Sequence, residues 1–138
     1  MTKVARITVS VEDALLKQFE VFIANHGYPT RSEAVKNLMR NALVEQEWQK
    51  GKEVAGAVAI IYDHHRGAIV KKLVNAQHDF GGLIVCTQHV HLDHDNCMEV
   101  VIVRGAASKI RDFLSCLKSI KGIKHSTLMM ATTGEDVG

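Results

Sequence analysis

From Ala5 to Val11 apolar and polar residues alternate. Ala5, Ile7, Val9 and Val11 fall on one side and Arg6, Thr8 and Ser10 on the other. This period of two predicts a strand with one buried face. Ser10, three residues before Asp13, forms a pattern like a capping box that predicts a helix start. Leu15, Leu16, Phe19, Phe22 and Ile23 then make an apolar stripe at helical spacing, and His26-Gly27 ends it. Thr30-Arg31-Ser32-Glu33 reads as a second capping box. It opens a helix whose buried face carries Ala34, Val35, Leu38, Met39, Ala42 and Leu43. The polar stretch 45–53, with Trp48 and Gly51, reads as the end of that helix and a short linker.

A lone strand leaves its backbone donors and acceptors unpaired, and no second strand is predicted in the first 50 residues. A copy of the same strand from another chain supplies the missing partner, giving a dimeric two-stranded antiparallel ribbon. Beyond the linker the pattern changes. Strands are predicted over 54–62, 83–92, 97–104 and 123–131, with helices over 66–78 and 107–120. The turn 93–96 joins the middle two strands. The order βαββαβ is the ferredoxin-like arrangement, an antiparallel sheet with two helices on one face. The expected fold class is therefore α+β, with a ribbon-helix-helix unit over 1–50 and a βαββαβ unit over 51–138.

Composition narrows the function. Hydrophobic residues make up 46% and charged residues 23%, which fits a globular protein and excludes a disordered one. No apolar run is long enough to span a membrane, and the start lacks a secretory signal, so a cytoplasmic protein is expected. A net charge of +2 is too small to argue for nucleic acid, so any such argument must rest on local pattern. Three cysteines at irregular spacing imply no disulfide framework. Six of the eight histidines lie between residues 64 and 94, which points to metal.

Two constellations carry chemistry. Arg6, Thr8 and Ser10 project from one strand face, and a symmetric ribbon doubles them. An arginine fork can read guanine, hydroxyls meet several base edges, and a two-stranded ribbon fits the major groove. Arg31 and Ser32, at the start of the second helix, can hold a DNA phosphate. The second constellation is Gln88–Cys97. His89 and His91 share one strand face, and the following hairpin brings Cys97 beside them. Two imidazoles and a thiolate suit a borderline transition metal. His78, ending the preceding helix, is a candidate fourth ligand. A square-planar set would favour Ni(II) or Cu(II), a tetrahedral one Zn(II). Glu99 is a candidate carboxylate for orienting a ligating imidazole. Cys86, of opposite parity to His89, is expected in the core with Cys116. His64 and His65 are expected at a solvated turn.

Together these residues resemble the nickel-responsive regulator family, NikR. The resemblance rests on R-I-T-V-S, Y-x-T-R-S-E-A, Q-H at 77–78, H-V-H at 89–91 and C-M-E at 97–99. It implies a ribbon-helix-helix dimer fused to an ACT-type regulatory domain, and a homotetramer built as a dimer of dimers. It also implies a square-planar Ni(2+) site made by His89, His91 and Cys97 of one chain with His78 of a neighbour. The implied partner is double-stranded operator DNA, read by Arg6, Thr8 and Ser10 and gripped by Arg31 and Ser32. The usual outcome is repression of nickel-uptake genes. The alternative is a ribbon-helix-helix regulator answering to a different metal or a small molecule. An enzyme using Cys97 as nucleophile finds no supporting oxyanion or phosphate cradle. Departures from the family pattern are Asn37, where an acidic residue is common, and Gly67, which lacks basic character.

Overall fold

The computed structural model describes residues 2–138, which form two compact units, one up to Met39 and one from Arg40 to Gly138. The boundary falls inside the second helix rather than in the polar stretch after it. In the first unit, the described residues before Asp13 form no regular secondary structure and are exposed. Helix α1 spans Asp13–Asn25 and helix α2 spans Arg31–Gln49. Ser10 does not cap α1: the N-cap is Glu12, which makes no side-chain capping bond. The C-terminus of α1 closes as expected. Gly27 takes a positive φ of 70°, its N–H donates to Ala24 O, and the Tyr28 N–H donates to Ile23 O. Thr30 caps α2, its Oγ1 accepting the Glu33 N–H at 3.1 Å. Tyr28 Oη donates to Asn37 Oδ1 at 2.8 Å.

The stripe on α1 is only part-covered in this unit: Leu16, Phe19, Phe22 and Ile23 are half-buried and Leu15 is exposed. No α1 residue is buried, and Val9, Leu15 and Val21 are 70%, 53% and 60% exposed. Ala34 is buried completely, yet Leu38 and Met39 remain exposed.

The second unit follows the predicted order: β1 (Glu53–Asp63), α3 (Gly67–Asp79), β2 (Ile84–His91), β3 (Asn96–Ala106), α4 (Ala107–Lys118) and β4 (His125–Met130). The strands lie in the order β2-β3-β1-β4, all neighbours antiparallel. Residues Val58, Ile60, Tyr62, Cys97, Val101 and Val103 point from the central strands into one core. Ile69, Leu73 and Ala76 of α3 and Ile110, Phe113 and Leu117 of α4 cover them. At the far end of α2, Trp48 joins this core and its Nε1 donates to Ala131 O at 2.8 Å.

Edge strand β2 is almost wholly exposed, and its register with β3 shifts between Ile84 and Cys86. Beyond the shift Cys86 pairs with Ile102, which points away from the helices, so Cys86 is exposed and not in the core. Cys116 is partly buried against the core.

Candidate functional site

The register fixes the site. His91 stands opposite Cys97 and His89 opposite Glu99; on the other side of β3, Tyr62 stands opposite Cys97. All five therefore share the helix-facing side of the sheet, at the end where α3 finishes. The two imidazoles lie near-parallel with centroids 5.2 Å apart, and the Tyr62 ring is 6.0 Å from that of His89.

Cys97 is completely buried, and its Sγ–H donates to Tyr62 O at 3.4 Å. Burial pushes its thiol above the ordinary value, with Glu99 and Asp63 adding negative field. A free thiolate is disfavoured here, so a cation must supply the compensation when the sulfur deprotonates. Glu99 is also buried; it accepts from Tyr62 Oη at 3.1 Å and from Gln77 Nε2 at 3.0 Å. Burial, then the Glu99 charge, raises the Tyr62 phenol, which stays neutral and serves as donor. Gln77 Oε1 in turn accepts from Thr87 Oγ1 at 3.4 Å. This Tyr62–Glu99–Gln77–Thr87 network ties β1, β3, α3 and β2 together directly beneath His89. Sequence reasoning singled out Glu99 but missed Tyr62 and Gln77, whose buried role follows from strand and helix parity.

His78 is exposed in the last turn of α3, one residue beyond Gln77. Among the described residues, two triads bring donor atoms within 4.8 Å of one another: Asp63-His64-His65 and His65-His94-Asp95. Neither His78 nor the His89-His91-Cys97 set is gathered that closely within the single chain. The donor chemistry and shared face of the latter set nonetheless fit a nickel-type ion, with the imidazoles on an open edge free to turn. His64 corrects its expected solvation. It is partly buried between His65 and His91, at ring distances of 4.2 and 4.4 Å, and its Nδ1 is sealed from solvent without a partner. Burial and the neighbouring histidines lower its pKa.

In the first unit Arg6, Thr8 and Ser10 are exposed. Arg31 is ion-paired with Glu20, and Ser32 is exposed in the first turn of α2.

The second unit thus sets nitrogen and sulfur side chains on one face of an antiparallel α+β domain, and comparison with known proteins gives its class. The model of the NikR C-terminal nickel-binding domain matches residues 55–131. Similar chains named nickel-responsive regulator include one from Syntrophus aciditrophicus, 44% identical over 98% of both chains. Another, from Thermococcus onnurineus, is 46% identical over 98% of this chain and 99% of that one. A solved structure of an uncharacterized protein from Thermotoga maritima superposes with a TM-score of 0.52 at 11% identity. It covers 56% of this chain and 96% of that one, a likeness of fold alone. The chain belongs to the nickel-responsive regulator family, NikR. It is a regulatory protein rather than an enzyme, and nickel is its ligand. No helix among the described residues is long and apolar enough to cross a membrane.

Proposed function

We propose that this chain is a cytoplasmic, nickel-dependent DNA-binding transcriptional regulator that represses nickel-uptake genes. The observation that carries the reading is the register pairing His91 with Cys97 on the face that also holds His89. In this reading His89, His91 and Cys97 hold Ni(II) with His78 of a second copy of the chain, and Glu99 stabilises the arrangement beneath. A ligand borrowed from a neighbour requires the regulatory units to associate. The helix-free face of the sheet, with Val90, Ile102 and Met129 at 43%, 36% and 61% exposure, supports such an association into a tetramer.

The uncovered apolar residues of the first unit support a second association. Two copies of the segment 5–11 pair as an antiparallel ribbon, covering Ile7, Val9 and Val11 over the α1 stripe and presenting Arg6, Thr8 and Ser10 to the major groove. Arg31 and Ser32 then lie at phosphates, and Arg31 exchanges its Glu20 partner for DNA. Nickel binding across subunits biases the assembly towards the form that fits operator DNA, a coupling of about 1–3 kcal/mol, or roughly 5–150-fold in affinity.

The test is an operator-binding titration at fixed salt, with nickel, copper, zinc or chelator, on wild type and Cys97→Ala. Nickel is expected to tighten specific binding to wild type and leave the variant unchanged. Equal affinity in all conditions rules the reading out, and a response to another ion alone transfers it to that metal.

A further inference from the structure

Away from the metal face, the chain beyond β4 makes contacts that the function proposed above does not use. It turns back along the last turns of α2. Ala131 O accepts from Trp48 Nε1 at 2.8 Å, Thr132 Oγ1 donates to Glu47 Oε2 at 3.1 Å, and Gly138 O accepts from Arg40 Nε at 2.6 Å. Rising residue numbers in the tail thus meet falling ones in the helix, within the one compact unit that holds both.

The root of the tail is firmly seated. The Ala131 N–H donates to Ala55 O on β1 at 2.9 Å. Trp48, fully buried, lies against Gly56, where an added Cβ would stand 3.4 Å from the indole and 2.7 Å from Met129 O. The Arg111 guanidinium of α4 lies 5.8 Å from the centroid of the indole, and its Nη1 donates to Trp48 O at 3.4 Å. The next contact is of a different kind. Glu47 is 7% exposed, and the Thr132 hydroxyl reaches both of its carboxylate oxygens, at 3.4 and 3.1 Å. The same Oγ1 accepts the Gly134 N–H at 3.1 Å, where Gly134 turns the chain with a φ of 84°. One hydroxyl therefore answers a buried carboxylate and holds a turn of the tail at once. A buried carboxylate deprived of its donor is costly. Elsewhere the end of α2 is thinly covered, with Asn41, Ala42, Leu43, Glu45 and Gln46 exposed. Such a helix end takes its order from the few contacts it has.

We propose that residues 131–138 are a strap that binds the last turns of α2, from Arg40 to Gln49, to the regulatory sheet, with Thr132 as its latch. Strapped, this part of α2 moves with the sheet. The consequence for regulation rests on the function proposed above: α2 leads into the DNA-reading unit, so a loosened strap lets nickel bind as before while less of its effect reaches the operator.

Amide exchange is measured on the full-length protein, wild type beside Thr132→Val, Thr132→Ser and Trp48→Phe. Thr132→Val keeps the shape and loses the hydroxyl; its amides at 43–50 should exchange about 2–10-fold faster, with β1 and β3 unchanged. Trp48→Phe, which keeps a ring and loses the Nε1 bond, should accelerate the same amides, and Thr132→Ser should behave as wild type. Nickel affinity should match wild type in all three. The gain in operator affinity on adding nickel should shrink at least about twofold in Thr132→Val and not in Thr132→Ser. Unchanged exchange at 43–50 in both Thr132→Val and Trp48→Phe overturns the strap, as does acceleration spread through the whole second unit. Faster exchange at 43–50 with an undiminished nickel gain overturns its regulatory consequence. A wild type whose operator affinity ignores nickel defeats the function proposed above instead, and the exchange result then decides the strap alone.

Discussion

Helices α1 and α3 are each 13 residues long and each carries an apolar stripe, yet α3 buries Ile69, Leu73 and Ala76 while α1 buries nothing. The difference lies in what each stripe meets. In the second unit four strands and two helices supply opposing faces from the same chain, and the core closes. In the first, two helices and an unpaired segment leave Ile7, Val9, Leu15 and Val21 in solvent. An amphipathic pattern thus states that a face needs covering, not who covers it. A chain segment too small to close a core alone is completed by association.

The sharpest break in this comparison is Phe113→Ala. Phe113 is fully buried and packs on Phe80 at 5.3 Å, so its loss should cost about 3–5 kcal/mol in denaturant melts compared at one protein concentration. Val9→Asp makes the opposite case. On the proposed ribbon it places a charge where about 1.5–3 kcal/mol of apolar burial is expected. Amide exchange should then accelerate in residues 5–40 and become insensitive to concentration, with the second unit unchanged. Identical exchange in variant and wild type would show that Val9 is covered by nothing.

Glu99→Ala tests the network beneath His89. Leaving Tyr62 Oη and the Gln77 amide buried without their acceptor should cost about 1–3 kcal/mol. Nickel affinity should drop roughly 10–100-fold as support for the imidazole is lost. Thr30→Ala should cost the first unit about 1 kcal/mol through loss of the α2 cap, read from the same exchange experiment.

The smallest effect is a pH dependence. Hydrogen bonds from the Asn96 side chain and backbone hold the Asp93 carboxyl below its ordinary value. A lowered carboxyl contributes stability above the unfolded-state pKa and loses it as pH falls through the folded one. Metal-free wild type should therefore weaken on acidification below the ordinary carboxylate range, and Asp93→Asn should flatten that part of the curve.

The second unit was legible because most of its strands and helices keep clean periods of two and three to four, down to the Asp93–Asn96 turn; β2 breaks phase between Ile84 and Cys86, and there the expected burial of Cys86 failed. The donor set followed from the same parity, since His89, His91 and Cys97 needed only a hairpin to share a face. What parity could not reveal was long-range. The meeting of His64 and His65 with His91 and His94 depends on the β1–β3 register, which no local pattern states. Tyr62 and Gln77 looked like ordinary core and helix residues until Glu99 was found between them. The cap expected from Ser10 failed because α1 starts at Asp13 with Glu12 as its N-cap, and no side chain closes that end. In the first unit the pattern spoke of a strand, and a single chain offers it nothing to pair with.

The irregularity between Ile84 and Cys86 has an evolutionary corollary. Ile84 pairs with Val103 and packs on the core, yet His89 and His91 occupy the same side at positions of opposite parity. An uninterrupted strand could not seat all three inward. The extra residue works as a phase changer, letting the anchoring end and the donor end of one strand be tuned separately. Deleting Val85 would leave an unbroken ladder, Ile84 opposite Val103 beside Cys86 opposite Ile102, with the isoleucine and the imidazoles still on one side. Losing that residue would therefore smooth the edge without moving its nitrogen donors to the other face of the sheet.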